Sequence, residues 1–173
     1  MKARLLITID GPCAGGKTTL AEGLGRLLGA QVIHTDDFVI PHEQKTPERL
    51  SIPGGNCDAD RLAQEVLLPW KAGQTVQYRR YDWGLGALLP AETLPDTQIL
   101  ILEGSYCNLP VLRQYADVRL FLNTPEDVRM KRLRERESEA SFLRFQKMWI
   151  PLEQAYFAAY HLPDAGCVVL KTV

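Results

Sequence analysis

Apolar residues fall into five short, nearly continuous runs separated by stretches with helical spacing. Leu5-Leu-Ile-Thr-Ile9, Gln31-Val-Ile-His34, Gln98-Ile-Leu-Ile-Leu102, Val118-Arg-Leu-Phe-Leu122 and Gly166-Cys-Val-Val-Leu170 have the length and β-branched content of strands buried on both faces. Between them, 20–28 reads as a helix that Gly29 stops, and 58–68 as a helix capped by Asp58 and closed by Pro69. Thr124-Pro125 starts another helix, and 141–160 continues as a helix interrupted near Pro151. A short strand is expected at 74–78. The Pro- and Gly-rich stretch 39–56, apart from one turn of helix near Pro47, and the stretch 84–96 read as loops. Strands alternating with helical crossovers predict an α/β domain with a parallel sheet covered on both faces, and 173 residues fit a single domain, 1–173.

The first strand runs directly into Gly11-Pro12-Cys13-Ala14-Gly15-Gly16-Lys17-Thr18-Thr19, which fits G-x-x-x-x-G-K-[ST], a phosphate-binding loop, and the first helix follows at once. Gly11, Gly15 and Gly16 let successive amides turn toward phosphate oxygens, Lys17 adds a mobile charge, and the Thr18 hydroxyl is placed to ligate Mg²⁺. The helix N-terminus favours the same anion. Such a loop calls for a nucleoside triphosphate, with ATP and Mg²⁺ the expected pair.

Other candidates stand where strands end. Asp36 and Asp37 follow the second strand on the edge where open α/β sheets bind ligands; one of them is expected to face the phosphates, or the pair caps a turn. Glu103 closes the third strand, where a carboxylate can hold Mg²⁺ directly or through water. Arg79-Arg-Tyr81-Asp-Trp83 reads equally as a stacking wall for a planar ring or as local core. Arg129, Arg132 and Arg136 share one helix face, either as a solvated stripe paired with nearby glutamates or as cations swinging over transferred phosphates.

A net charge of −1 argues against a general surface for nucleic acid, and no apolar run reaches the ~18 residues of a membrane span. Cys13, Cys57, Cys107 and Cys167 lie far apart without a C-x-x-C pair, and Met1-Lys-Ala-Arg leads straight into the first strand. Reduced thiols of a cytoplasmic protein are therefore expected, with Cys13 the thiol to watch beside a helix N-terminus. His34, His42 and His161 have no metal-ligand spacing and are given no catalytic role.

Taken in order, 11–19, Thr35-Asp36-Asp37-Phe38, Asn56-Cys57-Asp58, Tyr81-Asp82-Trp83, Glu103-Gly104, Arg129-x-x-Arg132-x-x-x-Arg136 and Trp149-Ile-Pro-Leu-Glu-Gln-Ala-Tyr156 resemble the uridine kinase branch of the phosphoribulokinase/uridine kinase family of P-loop kinases. The resemblance implies a three-layer P-loop fold with a five-stranded parallel sheet ordered 2-3-1-4-5 and a lid over about 129–141. It implies a nucleoside kinase that moves the ATP γ-phosphoryl to a sugar hydroxyl. Asp36 would be the base, Phe38 would lie beside the acceptor, and Asp58 would hold the ribose. Tyr81 and Trp83 would lie at the base, Glu103 at Mg²⁺ or the acceptor, and Arg129, Arg132 and Arg136 over the phosphates. Two departures stand out: Val39 replaces the family's tyrosine, and Gly84-Leu-Gly-Ala-Leu88 lacks the histidine that reads the pyrimidine. The chain is short for the family, which implies trimmed hairpins and a different homo-oligomer. The rival classes are transfer to a nucleoside monophosphate, a vitamin-like alcohol or an antibiotic hydroxyl, and nucleotide binding without transfer. A guanine-reading N-K-x-D is absent.

Overall fold

The computed structural model of the protein describes residues 4–172. In chain order the elements are β1 (Leu5–Asp10), α1 (Lys17–Leu28), β2 (Gln31–His34), α2 (Pro47–Ser51), α3 (Ala59–Leu62), α4 (Leu68–Lys71), β3 (Gln77–Tyr78), β4 (Tyr81–Asp82), β5 (Ala87–Leu88) and β6 (Glu92–Thr93). They continue as β7 (Ile99–Glu103), α5 (Pro110–Arg113), β8 (Val118–Asn123), α6 (Glu126–Arg136), α7 (Glu139–Arg144), α8 (Ile150–Ala159) and β9 (Val168–Lys171).

The main sheet runs β2-β7-β1-β8-β9 with every neighbouring pair parallel. Numbered among themselves, its five strands take the order 2-3-1-4-5 that the family resemblance implies. Alternation along the strands divides the core in two. Leu6, Leu100 and Leu102 face Leu62, Val66, Trp70, Leu112 and Tyr156 on one side, whereas Ile7, Ile9 and Ile101 face Ala21 of α1 on the other. Each fully buried Leu or Ile contributes roughly 1.5–3 kcal/mol, so the two central strands anchor the loops at their carboxyl ends. Among the described residues, no helix is long and apolar enough to cross a membrane.

Three expectations are corrected. Pro69 does not close its helix: a π-helical turn at Ala63–Leu67 precedes it, and the helix resumes as α4. Pro151 follows a second such turn, Phe145–Trp149, so 139–159 is nearly continuous. In both places the widened turn comes two residues before the proline and accommodates its ring and missing N–H. The stretch 84–96 is not merely loop, since β5 pairs with β4 and β6 pairs with β3, both antiparallel.

Candidate active site

The carboxyl ends of β1, β2 and β7 open into a cavity of about 970 Å³ lined by Cys13–Thr19, Asp36, Asn56, Trp83, Glu103, Ser105, Tyr106, Arg132, Arg136, Trp149 and Glu153, among others. The loop between β1 and α1 forms one side of it. Ala14 (φ 55) and Gly16 (φ 94) adopt left-handed backbone, and among the described residues no side chain caps α1, which leaves its first amides for a ligand. At Gly11 a β-carbon would stand 2.5 Å from the Leu122 carbonyl oxygen, so the loop's entry fits only glycine. Lys17 is buried and folds back over the loop, its Nζ donating to the carbonyls of Gly11 at 2.8 Å and Pro12 at 3.0 Å.

Residues distant in sequence hold this loop in place. Asp10, fully buried, accepts from Gly11 N at 2.7 Å, Asn108 N at 3.1 Å and the Tyr156 hydroxyl at 2.7 Å. Burial pushes its pKa up, and the Tyr156 hydroxyl and the backbone amides oppose the rise. Glu153 accepts from Cys13 N at 3.0 Å through Oε2 and from Ser105 Oγ at 2.5 Å through Oε1. The Cys13 thiol is pushed up to about 12 by burial first and then by Glu153, which opposes the lowering expected beside a helix N-terminus.

Across the sheet edge, Thr35–Phe38 winds as a 3₁₀ turn rather than prolonging the strand, and it brings Asp36, not Asp37, to the cavity wall. Gly104, at φ +125, lets the turn pack closely, because a β-carbon there would lie 2.0 Å from Thr35 Oγ1. Asp36 reaches solvent through the cavity, yet the surrounding protein desolvates its carboxylate and raises its pKa. Lys17 opposes this shift and Glu103 adds to it. Glu103, almost fully buried, accepts from Thr18 Oγ1 at 3.1 Å and meets His34 Nδ1 at 2.5 Å through the same Oε1. That hydrogen bond is the main cause of the raised His34 pKa.

Of the remaining expected site residues, Trp83, Arg132 and Arg136 line the cavity, whereas Phe38, Asp58, Tyr81 and Arg129 do not. Phe38 is core, stacked on Tyr78 at 6.0 Å with the Arg61 guanidinium over its face at 4.5 Å. Asp58 caps α3 through Arg61 N and pairs with Arg61 Nε at 3.0 Å. Tyr81 is buried edge-on behind Trp83, which is 53% exposed. The arginine stripe divides: Arg132 and Arg136 reach the cavity, while buried Arg129 lies behind the loop and donates to the carbonyls of Thr124 at 3.2 Å and Cys13 at 3.5 Å. Asp10 and Ser105 complete the surroundings without having been singled out from sequence, whereas Asn56 and Glu153 lie in motifs that carried the resemblance but were given no role. Glu153 left a readable trace, because it is the one acid on the helical stripe Trp149, Glu153, Tyr156, Tyr160.

A strand feeding a glycine loop, a buried lysine over it and carboxylates at two neighbouring strand ends is a phosphate-handling arrangement. A family model, Phosphoribulokinase / Uridine kinase family, matches residues 6–140. The chain belongs to this family. It is accordingly a P-loop kinase of small molecules, of a family that phosphorylates alcohol acceptors with ATP. Over 147 residues it is 25% identical to a uridine kinase of Ligilactobacillus salivarius, covering 78% of this chain and 67% of that one. Two solved structures share the fold. One is a possible uridine kinase from Bacillus stearothermophilus (TM-score 0.74, 20% identity, 98% of this chain and 90% of that chain). The other is D-glycerate 3-kinase from Cryptococcus neoformans (TM-score 0.68, 15% identity, 99% and 87%).

Proposed function

We propose that this kinase transfers the γ-phosphoryl group of ATP to a sugar hydroxyl of a nucleoside-like acceptor. The supporting observation is that one cavity contains the uncapped start of α1, Lys17 and the Asp36 carboxylate, with the indoles of Trp83 and Trp149 on its wall. The amides of 13–19 bind the phosphate chain, and Lys17 exchanges its two loop carbonyls for phosphate oxygens. Thr18 and Glu103, already within hydrogen-bond reach of each other, supply the hard oxygen donors suited to Mg²⁺. When bound there, the ion neutralises charge on the phosphates.

Asp36 takes the proton of the acceptor hydroxyl, and its raised pKa makes it a stronger base than an ordinary aspartate. Trp83 faces the acceptor ring. Tyr81 supports that indole, while Phe38 and Asp58 fix Arg61. Arg132 and Arg136 act as the lid cations, and α6 moves about the extended residues Glu137 and Ser138 that separate it from α7. Arg129 braces the loop from behind. The test is ADP production across a panel of nucleosides, sugars and sugar alcohols. Stimulation by nucleosides supports this reading, and stimulation only by compounds without a sugar overturns it.

A further inference from the structure

The segment between Ile40 and Pro47 carries Lys45 into a cage of aromatic rings. Its ammonium lies 4.8 Å from the ring centroid of Trp83, 5.5 Å from that of Tyr81 and 5.8 Å from that of Trp149. All three are within the ~6 Å over which a ring face attracts a cation. The rings brace one another edge-on, Tyr81 against Trp83 at 5.5 Å and Trp83 against Trp149 at 6.0 Å. The backbone is fixed on both sides: Lys45 N donates to His42 O at 3.1 Å, and Thr46 caps α2 through Arg49 N at 3.2 Å.

Among the described residues, no carboxylate lies within ion-pair distance of this ammonium and no protein oxygen takes a hydrogen bond from it. Partial burial alone lowers its pKa, with no neighbouring charge contributing. An ammonium has three N–H donors and no lone pair, so these donors are available to a ligand. Trp83 and Trp149, two of the rings that hold it, line the cavity that contains Asp36. The adjoining stretch 84–88, Gly-Leu-Gly-Ala-Leu, brings no polar side chain to the same place.

We propose that Lys45 is a specificity-determining residue of the acceptor site, a donor-only reader that selects acceptors presenting a ring carbonyl oxygen and rejects those presenting an amino group there. The proposal rests on the reading that the acceptor occupies the cavity beside Asp36. A carbonyl accepts from the ammonium, whereas an amino group opposes one donor with another and leaves both without an acceptor. The cage restrains the flexible lysine stem, so the ammonium cannot retreat from a mismatched ring without giving up its contact with three aromatic faces. Hydrogen bonds to charged groups are strong enough to make this discrimination about tenfold or more.

The alternative is that Lys45 only fastens the 41–46 segment to the aromatic wall. Two variants separate the roles. Lys45→Arg keeps the charge, the ring contact and the donor-only character, while Lys45→Gln removes the charge and adds an acceptor. Calorimetric titration with uridine, which presents a carbonyl, and with cytidine, which presents an amino group at that ring position, reads binding without requiring transfer. The expected result is uridine preferred by about tenfold in the wild type and in Lys45→Arg, with the ratio falling to near unity in Lys45→Gln. In turnover, the acceptor KM of Lys45→Gln should shift while kcat and the KM for ATP remain. A Lys45→Gln variant that weakens both nucleosides by the same factor overturns the proposal, as do equal affinities in the wild type or no binding of either. If uridine is preferred through Lys45 but no ADP forms, the transfer reading fails and the reader stands. If both nucleosides drive ADP formation equally well, transfer stands and the reader fails.

Discussion

Glu153→Ala should loosen the phosphate loop from the far end of the chain. The carboxylate is 6% exposed and accepts from two donors, the Cys13 amide at 3.0 Å and the Ser105 hydroxyl at 2.5 Å. Ser105 can turn to the Gly11 carbonyl, already 3.4 Å away, but the Cys13 amide would lose its partner. A buried donor left unsatisfied costs roughly 1–3 kcal/mol, and the small cavity left by truncation adds to this, so a net loss of about 2–3 kcal/mol is expected. For a chain of this size, each kcal/mol lowers Tm by about 2–4 °C, giving a fall of about 4–12 °C by scanning calorimetry. ATP affinity should fall with it, because the loop is no longer held in its binding shape. Glu153→Gln keeps an oxygen for the Cys13 amide and should recover most of the loss. The reasoning is refuted if Glu153→Ala melts within 2 °C of the wild type and binds ATP equally well, a range set by the same size scaling.

Three further outcomes are expected. Because desolvation raises the Asp36 pKa, kcat/KM for the acceptor should fall as pH drops through a value above the ordinary carboxylate range near 4, and a limb at or below that value would contradict the base assignment. Cys13, with its thiol pushed up to about 12 and 8% exposed, should resist iodoacetamide at pH 8 in the native protein, and fast labelling there would mean the loop is open. A non-hydrolysable ATP analogue should slow hydrogen exchange across 129–141, and unchanged exchange would remove the lid role of Arg132 and Arg136.

The sheet was legible because parallel strands covered on both faces appear as nearly unbroken apolar runs, such as Leu5 to Ile9 and Ile99 to Leu102. The phosphate loop was legible because its chemistry is confined to nine consecutive residues. The contacts that hold it are not local: Glu153 lies 140 residues from Cys13, and Tyr156 lies 146 from Asp10. In two ambiguous stretches neighbouring residues differ in depth. Tyr81 is buried while Trp83 lines the cavity, and Arg129 is buried while Arg132 and Arg136 line the cavity. Spacing assigns these residues to a face but does not say how deeply each lies. The cage around Lys45 had no sequence signal, since it unites a loop lysine with rings from two distant segments.

Single-turnover transfer by Asp36→Asn, measured beside the wild type at saturating ATP and an acceptor active in the panel, tests the central claim most directly. The account predicts ATP affinity close to that of the wild type and a transfer step slower by about 10²–10⁴-fold, the range a positioned base contributes. Transfer at the wild-type rate would contradict it.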